Sequence, residues 1–104
     1  MELTWEQKAE ALNALAEIEI HMRRPGNWYV HQGVEIKKGG ILHGQYGNGV
    51  TPEAAILDHW HVLVEQVDLP DYLVVNAYGG DRRRAVFWNG YRWADVAEPK
   101  ADAT

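Results

Sequence analysis

Glycine and proline punctuate this chain so densely that only two intervals are long enough for a helix of ordinary length. One precedes Pro25 and the other separates Pro52 from Pro70. In the first, Thr4 followed three residues later by Gln7 is a capping-box pattern. The Ala- and Leu-rich run 6–22 that follows suits a helix, which must end before Pro25 because a residue preceding proline avoids the helical region. On a wheel Ala11, Leu15, Ile18 and Met22 share one side, and Trp5, Leu12, Ala16 and Ile20 widen the apolar arc to roughly 200°, about twice what one sheet contact needs. An arc that wide asks for a second partner, so we expect a homo-oligomer with this helix in the interface. The second helix starts with Thr51 as N-cap, Pro52 in the first helical position and Glu53 near the positive helix end. Ile56, Leu57, Trp60, Leu63, Val64 and Val67 make its apolar stripe, Asp58, His61 and Glu65 point away, and Asp68-Leu69-Pro70 ends it.

The remaining intervals are strand-sized. Residues 27–36 and 41–46 form a hairpin about Lys37-Lys38-Gly39-Gly40, and Gly47-Asn48-Gly49 leads into the second helix. Residues 72–78 and 83–88 flank a turn at Gly79-Gly80-Asp81-Arg82. Asn89-Gly90, between Trp88 and Tyr91, predicts a two-residue type I′ turn and a last strand over 91–96. The order is α-β-β-α-β-β-β, an α+β fold with an antiparallel sheet and two amphipathic helices. With 104 residues, 46% of them hydrophobic and 24% charged, the chain is one globular domain over 1–96. Residues 97–104 lack large apolar side chains and are expected to be a frayed tail.

Pairing Trp88 with Tyr91 assigns the faces of the last three strands. Leu73, Val75, Val86, Trp88, Tyr91 and Trp93 fall on the core side, with Arg84 and Asp95 as a cross-strand charge pair. The other side carries Tyr72, Val74, Asn76, Tyr78, Arg83, Phe87 and Arg92. Rings interleaved with guanidinium groups and an amide suit a nucleotide, because rings stack on bases and Arg forks grip phosphate. The candidate ligand-binding set is therefore Tyr72, Asn76, Tyr78, Arg83, Phe87 and Arg92. The same side chains also suit a surface packed under the first helix or against another subunit, the plainer of the two readings.

Composition and spacing exclude much else. A net charge of −5 disfavours nucleic acid, and the one dense basic cluster, Arg82-Arg83-Arg84, splits between faces in an extended strand. No apolar run approaches the roughly 20 residues of a membrane span, and the acidic N-terminus has no secretory pattern, so a cytoplasmic location is expected. Without cysteine or serine there is no thiol chemistry and no Ser-His-Asp triad. The glycines of 44–49 could bring backbone amides to a phosphate, but no nucleotide-binding fingerprint accompanies them, and a conformational role is the simpler reading. His59 and His61 diverge on a helix, His31 and His43 fall on opposite hairpin faces, and no HxxxH spacing occurs, so neither a metal nor another cofactor is expected. His61 with Asp58 and Glu65 reads as a solvated helix face, and no spacing gathers two of Glu35, Asp58, Asp71, Asp81 and Asp95. Binding is a better expectation than catalysis.

The segment 26–60 with its TPEAA helix start, together with the WNGYRW hairpin, resembles small proteins of tailed phages and prophages. The hairpin-then-TPEAA portion is also similar to the double-stranded-RNA-binding-like fold of certain antitoxins, from which the chain departs by its N-terminal helix and three later strands. Both likenesses rest on structural features and transfer no functional residue. The phage likeness implies an accessory protein acting in the host cytoplasm, among whose kinds are sponges that sequester nucleotide signals. The partner expected is thus a small phosphorylated nucleotide, or alternatively a host protein that the chain inhibits. A single-stranded nucleic acid ranks below both because of the net charge.

Overall fold

A computed structural model of the chain describes residues 2–98. The elements are α1 (Trp5–Leu15), β1 (Glu19–Arg24), β2 (Asn27–His31), β3 (Val34–Lys38), β4 (Ile41–Gly44), β5 (Gly47–Gly49), α2 (Pro52–Trp60, continued by one π-type turn His61–Glu65), β6 (Tyr72–Val75), β7 (Arg84–Trp88) and β8 (Trp93–Asp95). The fold is α+β, with all strands antiparallel, but they form two sheets. One has the order β1-β2-β5 and the other β4-β3-β6-β7-β8.

The caps act as their sequences imply. Thr4 and Gln7 form the reciprocal capping box, and the Thr51 hydroxyl accepts the Ala54 amide ahead of Pro52. The first helix, however, ends at Leu15, and residues 19–22 of the expected 6–22 helix belong to the strand Glu19–Arg24. Two side chains fix the break. Asn13 Oδ1 accepts the Ile18 amide, and the Gln32 side-chain amide donates to the carbonyls of Leu12 and Ala16. The wide apolar arc thereby dissolves, since Ile20 and Met22 belong to β1 and not to a helix face. Pro25-Gly26, with Gly26 at φ +76, turns β1 back on β2.

The expected 27–36 strand is likewise broken, at Gln32-Gly33, where the chain leaves one sheet for the other. It returns through Gln45-Tyr46 into β5. The glycines of β5 allow the strand to lie directly on α2. A Cβ on Gly47 would come within 2.3 Å of the Ala55 carbonyl oxygen, and one on Gly49 within 2.4 Å of the Ala55 nitrogen. Leu12, Val30, Val34, Ile56, Leu63, Leu73, Val75 and Val86 form one buried core between helices and sheets. Trp60, Trp88 and Trp93 meet edge-to-face at 5.0–6.1 Å, and the Trp93 indole donates to the Ala11 carbonyl, tying β8 to α1.

The last hairpin differs from its expected form. Trp88 pairs with Trp93, and Asn89–Arg92 is a four-residue loop. Asn89 Oδ1 accepts the amides of both Tyr91 and Arg92, so the side chain organises the wider turn and Asn89 itself stays out of the left-handed region. The shift is two residues, which preserves side-chain parity. Leu73, Val75, Val86, Trp88 and Trp93 accordingly face the core, and Arg84 pairs with Asp95 at 3.3 Å. Only Tyr91 leaves that set, projecting from the loop at 90% exposure.

Candidate functional site

The two passages between the sheets and the loop after β6 meet around a cleft of about 480 Å³. Its walls include His31, Glu35, Gln45, Tyr46, Asn76 and Tyr78. Gly33 and Asn76 set its shape: the Asn76 amide donates to the Gly33 carbonyl at 3.1 Å, which carries the β3–β6 pairing one residue beyond Val34 and Val75. Asn76 has φ +53, a left-handed conformation that asparagine tolerates better than most residues, and its carbonyl accepts the Gly79 amide. A Cβ at Gly79 would stand 3.0 Å from the Asn76 Cβ, so a glycine there relieves a tight approach within the turn. This tight loop ends β6 at Val75, three residues short of the expected strand, and raises Tyr78 into solvent at 86% exposure.

From the cleft a row of rings runs across the outer face of β1-β2-β5. His31 lies 5.3 Å from Tyr46, Tyr46 meets Tyr29 edge-on at 5.6 Å, and Tyr29 stacks on His21 at 5.0 Å. The Arg23 guanidinium sits 4.1 Å above the Tyr29 ring and donates to Asn48 Oδ1. Glu19 holds the other end, 3.2 Å from His21 and 4.0 Å from His31. A face of rings and a guanidinium thus exists, on the N-terminal sheet instead of the C-terminal one. Its sequence signal is the period-two alternation of 17–23, which puts Glu19, His21 and Arg23 on one side.

The six expected site residues separate into distinct places. Asn76 and Tyr78 line the cleft. Tyr72 and Arg83 come together, but on Glu98: Arg83 grips its carboxylate through Nε and Nη2 at 3.0 and 2.8 Å, and the Tyr72 hydroxyl donates to it at 2.9 Å. Hydrogen bonding to Arg83 holds the Glu98 carboxyl below its ordinary range, while burial and Glu98 raise the Tyr72 phenol. Glu98 is therefore part of the folded unit and not of a free tail, whereas the rest of the expected tail, 99–104, lies outside the described residues. Phe87 is half-buried opposite Ala94, and Arg92 is exposed in the last loop. A second groove, of about 740 Å³, runs beside Lys37, Leu69 and Tyr72, but Tyr72 and Glu98 there already engage each other.

Behind the cleft wall lies a buried polar pair that sequence reasoning missed. Gln32 and His59 are 3% and 0% exposed. Because both Gln32 amide hydrogens go to Leu12 and Ala16, its oxygen faces His59 and accepts from Nε2–H at 3.0 Å. This fixes the neutral tautomer and leaves His59 Nδ1 buried without a partner among the described residues. Burial lowers the His59 pKa to about 4, since protonation would place a second N–H where nothing accepts it. His61, by contrast, is exposed and bonds Glu65.

Among the described residues no three His, Asp or Glu side chains gather in metal-binding geometry. No described helix is long and apolar enough to cross a membrane. Comparison with known proteins gives no match, whether to family models, to curated proteins or to solved structures. The cleft must be read from its own chemistry. It offers two exposed phenol rings, an imidazole, the carboxamides of Gln32, Gln45 and Asn76 and the Glu35 carboxylate, and its walls carry no Lys or Arg.

Proposed function

We propose that this protein is a non-catalytic binding protein whose cleft between the two sheets takes a small phosphorylated nucleotide. The observation that carries the reading is the convergence of Tyr46 and Tyr78 with His31, Gln45 and Asn76 around one opening. Exposed rings stack on a base, and the two carboxamides can match both donors and acceptors on its edge. Because no cation lines the walls, affinity comes chiefly from the base, with the phosphate directed to the rim, where Arg82 follows the Asn76–Gly79 turn. In the cell such a protein would act as an accessory factor that sequesters a nucleotide signal in the cytoplasm, the role that the phage resemblance implies. Of the six residues expected from the sequence, the proposal keeps Asn76 and Tyr78 and adds His31, Gln45 and Tyr46.

Thermal denaturation against mono-, di- and cyclic nucleotides tests it. At 100-fold saturation a ligand adds about 2.7 kcal/mol, which raises the melting temperature of a domain this size by roughly 10 °C or more. Tyr46→Ala or Tyr78→Ala should weaken binding by roughly 1–3 kcal/mol. Neither should move the melting point of the free protein much, as Tyr46 and Tyr78 are 50% and 86% exposed. Stabilisation by no nucleotide, or unchanged affinity in both variants, would overturn the assignment. Stabilisation by a protein partner alone would favour the inhibitor reading in its place.

A further inference from the structure

The two sheets present four edges. Three are short or occupied: β4 has four residues, β8 has three, and β5 has three with its Asn48 amide already donating to Asp58. The fourth, β1, has six residues, all exposed. Its main chain bonds to β2 and to nothing else among the described residues. An unpaired edge of this length is a template for another strand.

The β1 sequence specifies which strand. Glu19-Ile20-His21-Met22-Arg23 is self-complementary when read against its own reverse. We propose that two copies of this chain associate through β1, antiparallel about a two-fold axis at His21, so that β5-β2-β1 continues into its mate as one six-stranded sheet. This goes beyond the cleft reading and does not depend on it. In that register Glu19 stands opposite Arg23 of the second copy, twice over, at the cross-strand spacing where opposite charges attract. Ile20 stands opposite Met22 on the other face, also twice, covering two apolar side chains that are 40% and 53% exposed in the single chain. The two His21 rings meet at the axis, and the row Tyr46–Tyr29–His21 becomes continuous with its counterpart. Sliding the copies by two residues, so that Met22 faces Met22, would set His21 against Arg23 and Ile20 against Arg24 and lose both complementarities. The register irregularity of β1 lies at Arg23, the last position used, leaving 19–22 regular.

Charge exchange tests the register. Light scattering should give the wild type twice 11.8 kDa. Glu19→Arg alone and Arg23→Glu alone each set like charges opposite one another and should run at 11.8 kDa. An equimolar mixture of these two variants restores both pairs and should return to the doubled mass, as should the double variant Glu19→Arg/Arg23→Glu. Circular dichroism spectra matching the wild type show that each variant is folded. Because the chain has no cysteine, His21→Cys provides a second measure: it should become disulfide-linked to a second copy under mild oxidation. A wild type that stays at 11.8 kDa into the millimolar range overturns the proposal. So does a doubled mass indifferent to Glu19→Arg, a mixture that remains monomeric, or a His21→Cys chain that does not cross-link.

Discussion

Acidification should destabilise this domain through His59. The folded-state pKa of about 4 lies below the ordinary value of 6.5, so between them the unfolded chain holds a proton that the folded one excludes. Stability is therefore complete above the unfolded pKa and falls as pH drops towards the folded one. Integrating that difference from about pH 7 to about pH 5 gives a loss of roughly 2 kcal/mol. The limiting slope is about 1.4 kcal/mol per pH unit. With an m-value of roughly 1–2 kcal/mol/M, the urea midpoint should move down by about 1–2 M over that span. The control is His59→Gln, whose terminal amide can replace Nε2 as donor to the Gln32 oxygen without a titrating group. Melts of both proteins at constant ionic strength isolate the His59 contribution, because Glu98, with its lowered pKa, titrates below this window. A wild-type midpoint that does not change with pH, or a His59→Gln variant with the same pH slope as the wild type, would refute the reasoning.

Three further substitutions probe separate parts of the fold. Gly47→Ala places a methyl group against the Ala55 carbonyl and the His59 Cβ, backbone and core with nowhere to move, and should cost about 1–3 kcal/mol or more in denaturant melts. Gly90→Val meets no atom within 4 Å but must hold φ +103, so calorimetry should show a loss of about 1–3 kcal/mol from backbone strain alone. Glu98→Gln leaves Arg83 and Tyr72 without their carboxylate at a part-exposed site; the expected loss at neutral pH is about 1 kcal/mol or less, vanishing as acid protonates the wild-type Glu98.

What the sequence made legible was mostly local. Thr51-Pro52 and the Thr4/Gln7 box are chemistry within one helical turn, and both formed. The core face of β6, β7 and β8 was readable because a two-residue error in the Trp88 pairing leaves parity intact. An Asn-Gly dipeptide alone predicts a two-residue turn, but the Asn89 side chain captures two amides and widens the loop. The end of α1 was obscured by the helix-forming alanines up to Ala16, although the alternation that begins at Glu17 already has the period of a strand. The site was less legible still. Tyr46, His31 and Asn76 are far apart in sequence and meet only because the chain changes sheet three times between β2 and β6, a tertiary arrangement that no local pattern encodes.

Those crossings also explain why a polar pair sits in the core. A strand running on from His31 to Val34 would have kept one sheet, with side chains alternating evenly across it. Turning at Gln32-Gly33 instead sends the Gln32 side chain inward, where it bonds the end of α1 and His59 of α2, while His31 faces the cleft. Gly33 gives its carbonyl to Asn76 and so fixes the far wall. An apolar residue at position 32 would fill the volume, but it would leave the Leu12 and Ala16 carbonyls and the His59 Nε2–H without their present partner. Of these only the His59 Nε2–H becomes a buried orphan, since the Leu12 carbonyl also accepts the Ala16 amide and Ala16 is part-exposed. One such orphan costs about 1–3 kcal/mol, a large share of the roughly 5–15 kcal/mol that holds a domain together. The same two residues therefore end one sheet, start the other, anchor both helices and open the cleft. That economy ties the geometry of the proposed site to the packing of the core behind it.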